Sequence, residues 1–147
     1  MIVLLCEKTE IGDEILMQSI QLISRLDNNI WWKELFKHYA NKGKTFEIRC
    51  WDEEIESIEL ISKFGTVEKS KTTKEIIITG DITNEFIDLI VKEKMPVDQN
   101  IYNKMTQFFT INIDKSYTSA HYGTEIYIDE DEDFAKKILD EVKEYFV

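Results

Sequence analysis

The stretch YIDEDEDFAKKILDEVKEYFV, residues 127 to 147, sets five acidic side chains in a row: Asp129, Glu130, Asp131, Glu132 and Asp133. Carboxylates at that density can chelate a hard cation, offer a negative surface to a basic molecule, or simply begin a helix. As a calcium loop the run fails. Asp129, Asp131 and Asp133 match the first, third and fifth EF-hand positions, but Phe134 stands where glycine makes the sharp turn and Asp140 where a bidentate glutamate closes the site. Capping and the helix dipole account for one or two of the five acids. A second acidic start, WDEEIESIE, places Asp52, Glu53, Glu54, Glu56 and Glu59 after a strand-like segment. If both runs leave strands at the same edge of one sheet, they form a single negative field. The competing reading is a solvated surface, the usual fate of charge runs.

Nucleophilic chemistry would have to come from Cys6, Cys50, His38 or His121. Both cysteines lie in apolar, strand-like segments, whereas a reactive thiol needs an accessible, electropositive site. They are expected to be structural and reduced, as in a cytoplasmic protein. His121 lies in DKSYTSAHYG, read as a ten-residue connector that also carries Tyr117, Thr118, Ser119 and Tyr122. Long connectors are often functional, but a histidine with no identifiable nucleophile or orienting group is an incomplete catalytic set. His38 is expected at the surface or its boundary. No phosphate-binding glycine loop, zinc-protease motif, CxxC pair or nucleophile elbow occurs. No catalytic residue, metal ligand or cofactor is assigned.

Trp31 and Trp32 are adjacent on a segment of helical pattern. Helix neighbours stand about 100° apart, so Trp31 is expected inward with Ile30, Leu35 and Phe36. Trp32 is then either an exposed interface anchor or packed under a neighbouring element.

The elements that must position these residues follow from composition and periodicity. The chain has 147 residues, 43% of them hydrophobic and one of them proline, enough for one domain to build a core without staples. A single α+β domain over residues 1–147 is expected. Its 29 Asp and Glu against 18 Lys and Arg give a net charge of -11. Such a field disfavours nucleic acid and anionic membrane, and it attracts basic proteins. The opening MIVLLC has no basic residue before its short apolar run and reads as a strand, not a leader.

Helices are expected at 9–27 with Thr9 as N-cap, at 29–43 closed by Gly43, at 52–65, at 83–95 capped by Thr83, and at the C-terminus from Phe134. The first two should pack as an αα-hairpin. Strands are expected at 44–51, where Phe46, Ile48 and Cys50 alternate with charges, as a pair around the Lys69–Lys74 turn, and at 107–113 and 124–130. The sum is a mixed or mostly antiparallel sheet of five or six strands with about five helices packed on it.

These features predict a non-catalytic acidic binding protein. Its expected partner surface comprises Asp129, Glu130, Asp131, Glu132, Asp133, Asp52, Glu53, Glu54, Trp32, Tyr117, His121 and Tyr122. In character, though in no motif, the chain is similar to bacterial immunity proteins and antitoxins, which neutralise basic nuclease toxins. Two other classes stay open: a small enzyme with a site around 117–123, and a regulatory or structural subunit that forms a homodimer.

Overall fold

The computed structural model describes the backbone of residues 4–11 and 14–22 and the complete residues 28–97, 104–128 and 137. Its elements run β1 (Leu4–Ile11), β2 (Glu14–Leu22), α1 (Ile30–Lys42), β3 (Thr45–Trp51), α2 (Ile55–Ser62), β4 (Thr66–Lys69), β5 (Glu75–Asp81), α3 (Asn84–Lys92), β6 (Thr110–Ile113), β7 (Tyr117–Ala120) and β8 (Glu125–Ile128). All pairings are antiparallel, in the order β1-β2-β8-β7-β6-β3-β5-β4. The six strands from β8 to β4 match the expected number, and the β1–β2 hairpin extends the sheet to eight.

Strand β3 shows why the sheet has two unlike faces. Phe46, Ile48 and Cys50 are buried and pair with Gly80, Ile78 and Ile76 of β5, while Thr45, Glu47 and Arg49 alternate onto the other face. Ile111 and Ile113 of β6, Tyr117 and Ser119 of β7, and Ile126 and Ile128 of β8 continue the buried face. Aromatic contacts dock the helices there. Phe86 of α3 stacks on Phe46 at 4.1 Å, and Phe36 of α1 meets both Phe86 and Tyr117. Tyr39 of α1 stacks on Tyr117 at 5.1 Å.

Among the described residues there are three helices, not five. The helix expected at 9–27 is replaced by the β1–β2 hairpin. Its apolar spacing suited a helical face, but Gln18 to Gln21 pair with β8, which would otherwise present an open edge to solvent. The Gly12-Asp13 pair between the two strands is of the kind that short hairpin loops favour. With that helix gone, so is the expected αα-hairpin. Of the expected terminal helix only Lys137 is described, and it is helical.

The caps behave as their residue types require. The Thr83 hydroxyl accepts the Phe86 N–H at 3.1 Å, and α3 ends before Pro96. Gly43 closes α1 for reasons of space: a Cβ there would lie 2.5 Å from the Ile113 side chain. One orientation differs from expectation: Ile30, the first residue of α1, is exposed. Ile55, the first residue of α2, is exposed as well, while Ser57 and Ile61 of that helix turn inward. Trp31 and Trp32 are both buried.

Phe86 contacts Phe36, Phe46 and Phe64 at once. Phe86→Ala is therefore expected to destabilise the fold by about 3–5 kcal/mol, read as a lowered urea midpoint.

Candidate functional site

The chain leaves β3 at Trp51 through an acidic corner. The Asp52 N–H donates to the Lys74 carbonyl at 2.8 Å, which pins the corner to the start of β5. Glu54 turns back on the strand, and its carboxylate accepts the Trp51 N–H at 2.8 Å and the Tyr122 hydroxyl at 3.1 Å. Asp52, Glu53 and Glu56 are exposed, and no hydrogen bond or ion pair engages their side chains among the described residues. Ile55 stands among them 62% exposed, beside an open depression of 420 Å³ lined by Glu53 to Ser57.

The turn between β7 and β8 closes the other side of this corner. His121, Tyr122 and Gly123 take positive φ values of 50°, 61° and 85° in succession. For the two non-glycine residues this conformation costs roughly 1–2 kcal/mol each. Backbone bonds hold it. The Tyr122 N–H donates to Phe109 O at 3.0 Å, while Tyr122 O accepts from the N–H groups of Met105 and Thr106. Phe109 sits at the centre, against Trp51 at 4.8 Å, Tyr122 at 5.2 Å and His121 at 5.6 Å, and the Lys104 ammonium lies 4.0 Å above the Tyr122 ring.

The predicted site residues divide accordingly. Asp52, Glu53, Glu54, His121 and Tyr122 are brought together at one end of the sheet. Trp32 and Tyr117 are not surface anchors: both are core residues, Trp32 only 1% exposed with its indole N–H donating to the Ser119 hydroxyl at 3.1 Å. Burial raises the Tyr117 phenol far above its ordinary pKa, with the neighbouring Ser119 hydroxyl opposing. The predicted connector 114–123 contains a strand, β7, whose alternation buries Tyr117 and Ser119 while Thr118 faces out. Asp129, Glu130, Asp131, Glu132 and Asp133 lie outside the described residues.

Strand direction bears on the expected single negative field. β3 ends at Trp51, where Glu75, Thr110 and Glu125 begin β5, β6 and β8. β8 ends at Ile128, opposite Tyr117, at the far end of the sheet. Trp51 and Ile128, the last residues of β3 and β8, thus stand at opposite ends of the sheet.

Chemically reactive groups are few here. Burial and the Glu54 charge push the Cys50 thiol up to about 12, so it stays protonated at neutral pH. Cys6 lies on β1, where only the backbone is described. His121 is well exposed, with Nε2 3.6 Å from Glu125 Oε2, and the same oxygen accepts the Tyr127 hydroxyl at 3.0 Å. His38 is also exposed, its ring edge-on to Tyr39. Among the described residues no group of three or more His, Cys, Asp or Glu side chains could hold a metal ion, and no helix is long and apolar enough to cross a membrane.

Sequence reasoning missed the solvent-facing side of the sheet. Arg49 lies between Glu47 at 3.4 Å and Glu75 at 3.6 Å. Asn112 donates to Glu47 at 2.8 Å and accepts the Thr118 hydroxyl at 2.6 Å. This polar ladder crosses β5, β3, β6 and β7. Below it an open groove of 570 Å³ is lined by residues that include Thr45, Glu47, Thr79, Asp81, Asn112 and Asp114. The alternation of Thr45, Glu47 and Arg49 was its signal in the sequence, but no local pattern shows which strands flank β3.

Asp114, at φ 47°, ties the β6–β7 turn to β3. Its carboxylate accepts the Lys44 N–H, the Thr45 N–H and the Thr45 hydroxyl at 3.0–3.1 Å. Partial desolvation raises its pKa, but those hydrogen bonds and the Lys44 charge outweigh it and leave the carboxyl below its ordinary value.

No protein-family model matches the chain, and no similar protein was found among curated proteins or solved structures.

A Cβ on Gly123 would lie 2.7 Å from Trp32 Nε1 and 2.8 Å from Met105 Cβ, in a left-handed conformation. Gly123→Ala is expected to cost about 2–4 kcal/mol in chemical denaturation. Because the Asp114 pKa is depressed on folding, its contribution is present above the unfolded value of about 4 and is lost as pH falls through the folded one. The urea midpoints of wild type and Asp114→Asn should differ by a constant amount above pH ~5 and converge on acidification. The gap should be below about 1 kcal/mol, since solvent screens an exposed carboxylate.

Proposed function

We propose that this chain is a non-catalytic acidic binding protein that neutralises a basic protein partner, in the manner of an immunity protein or antitoxin acting on a basic toxin such as a nuclease. The observation that carries this reading is the corner at 52–56. Asp52, Glu53 and Glu56 stand exposed around an exposed Ile55. Carboxylates supply long-range attraction, and an apolar residue among them supplies area to bury on contact. The net charge of -11 acts in the same direction. Steering by such a field raises encounter rates with a cationic surface and weakens steeply with salt. Bound over a lysine-rich cleft, the domain would occlude the substrate of that cleft.

The corner is also suited to rigid docking. Glu54 is fixed by Trp51 and Tyr122, so the exposed acids project from a turn already held in place. A preorganised surface loses little freedom on binding.

The test is co-purification with the product of the adjacent gene, followed by association kinetics at low and high salt. Glu53→Lys combined with Glu56→Lys is expected to slow association about tenfold or more at low salt, with little change at 0.5 M salt. Tight binding whose on-rate responds neither to salt nor to these reversals would sink the steering mechanism. Turnover of a small molecule by the purified chain would sink the binding reading itself.

A further inference from the structure

The three tryptophans of the chain are not alike. Trp31 and Trp32 lie in the core at 2% and 1% exposure, whereas Trp51 ends β3 on the solvent-facing side of the sheet and is only half-buried, with Cys50 buried on the other side. Phe108 and Phe109 divide in the same way. Phe108 is fully buried, and Phe109 is half-buried with its ring 4.8 Å from Trp51. The His121 side chain, 60% exposed, stands edge-on to Phe109. An aromatic surface thus opens to solvent directly beside the acidic corner, since Trp51 precedes Asp52 and Tyr122 ties the same cluster to Glu54.

The chemistry of this surface favours a cation. One already sits in the cluster: the Lys104 ammonium lies 4.0 Å from the centre of the Tyr122 ring. Aromatic rings carry negative potential on their faces and hold ammonium or guanidinium groups there, tryptophan best of all. Among the described residues no cation stacks on Trp51 or Phe109. Arg49 is engaged between Glu47 and Glu75. Asp52, Glu53 and Glu56 are exposed along the adjoining corner, so a cation approaching the rings is drawn in by their field.

We propose that Trp51 and Phe109 form the stacking centre of the partner surface and take an arginine side chain of the basic partner, with the exposed acids at 52–56 as the rim. The proposal rests on the binding reading above and deepens it: the acids set the rate of encounter, and the rings select arginine over lysine. A guanidinium is planar and weakly hydrated, so it stacks on a ring and still pairs with a carboxylate at its edge, whereas an ammonium is a compact, strongly hydrated charge. Tryptophan and arginine are also among the residues that most often dominate the energy of an interface.

The test is calorimetric titration of the full chain with hexa-arginine and, separately, with hexa-lysine at low salt, with tryptophan emission recorded in parallel. Because Trp31 and Trp32 are buried, a change in emission reports Trp51. Hexa-arginine is expected to bind and to perturb that emission. In Trp51→Leu, and independently in Phe109→Leu, its affinity should fall about threefold or more, while that of hexa-lysine changes less than about 1.5-fold. Circular dichroism checks the fold of each variant, so that loss of the fold in one leaves the other to decide. Equal losses for both peptides, unchanged hexa-arginine affinity in a folded variant, or no emission change at saturation would overturn the stacking centre and leave the acidic-binding reading in place. So would a dimer of the chain alone that Trp51→Leu dissociates, since a second copy would then occupy the patch. No binding of either peptide at low salt would overturn both readings.

Discussion

Everything in this fold depends on the register of β3. Its period-two alternation sends Phe46, Ile48 and Cys50 under the helices and Thr45, Glu47 and Arg49 to water. A slip of one residue would exchange those sets and bury Glu47 and Arg49 among apolar side chains, at a large desolvation cost. The neighbours enforce the register from both sides. Ile48 is flanked by Ile78 on β5 and Ile111 on β6, and Glu47 by Thr79 and Asn112. One strand thus fixes where the core lies and where the polar ladder runs.

The charge of the protein is distributed by that same architecture. Antiparallel strands alternate in direction, so β3 and β8 finish at opposite ends of the sheet. The corner at 52–56 and the groove at Asp81 are separate surfaces, joined among the described residues by the ladder through Glu75, Arg49 and Glu47. The aromatic residues expected to support a partner face serve the interior. Trp32 and Tyr117 join α1 to β7, and Tyr122 spends its hydroxyl on Glu54.

What was legible in the sequence was what neighbours in the chain decide. The alternation of β3, the Thr83 cap, the Gly43 stop and the lysine-bearing turn between β4 and β5 all depend on residues a few positions apart, and all are found where expected. What was not legible depended on distant pairing. The segment 14–22 has helical spacing but lies against β8, and Tyr117 has the look of a loop aromatic but packs on Phe36 and Tyr39. The site divides in the same way. Asp52, Glu53 and Glu54 could be named from composition, whereas the open groove arises only because Thr79 and Asp81 lie across from Glu47 and Thr45.

The central position of β3 also governs how the chain must assemble. The hairpins β4–β5, β6–β7 and β7–β8 join strands close in sequence. The seam between β3 and β6 does not: Glu47 and Asn112 are separated by 65 residues. Two local sheets can form early and independently, but the ladder that unites them must wait for a long loop to close. Topologies dominated by such non-local pairing fold in milliseconds to seconds, and until the seam closes, β3 and β6 are each a bare edge.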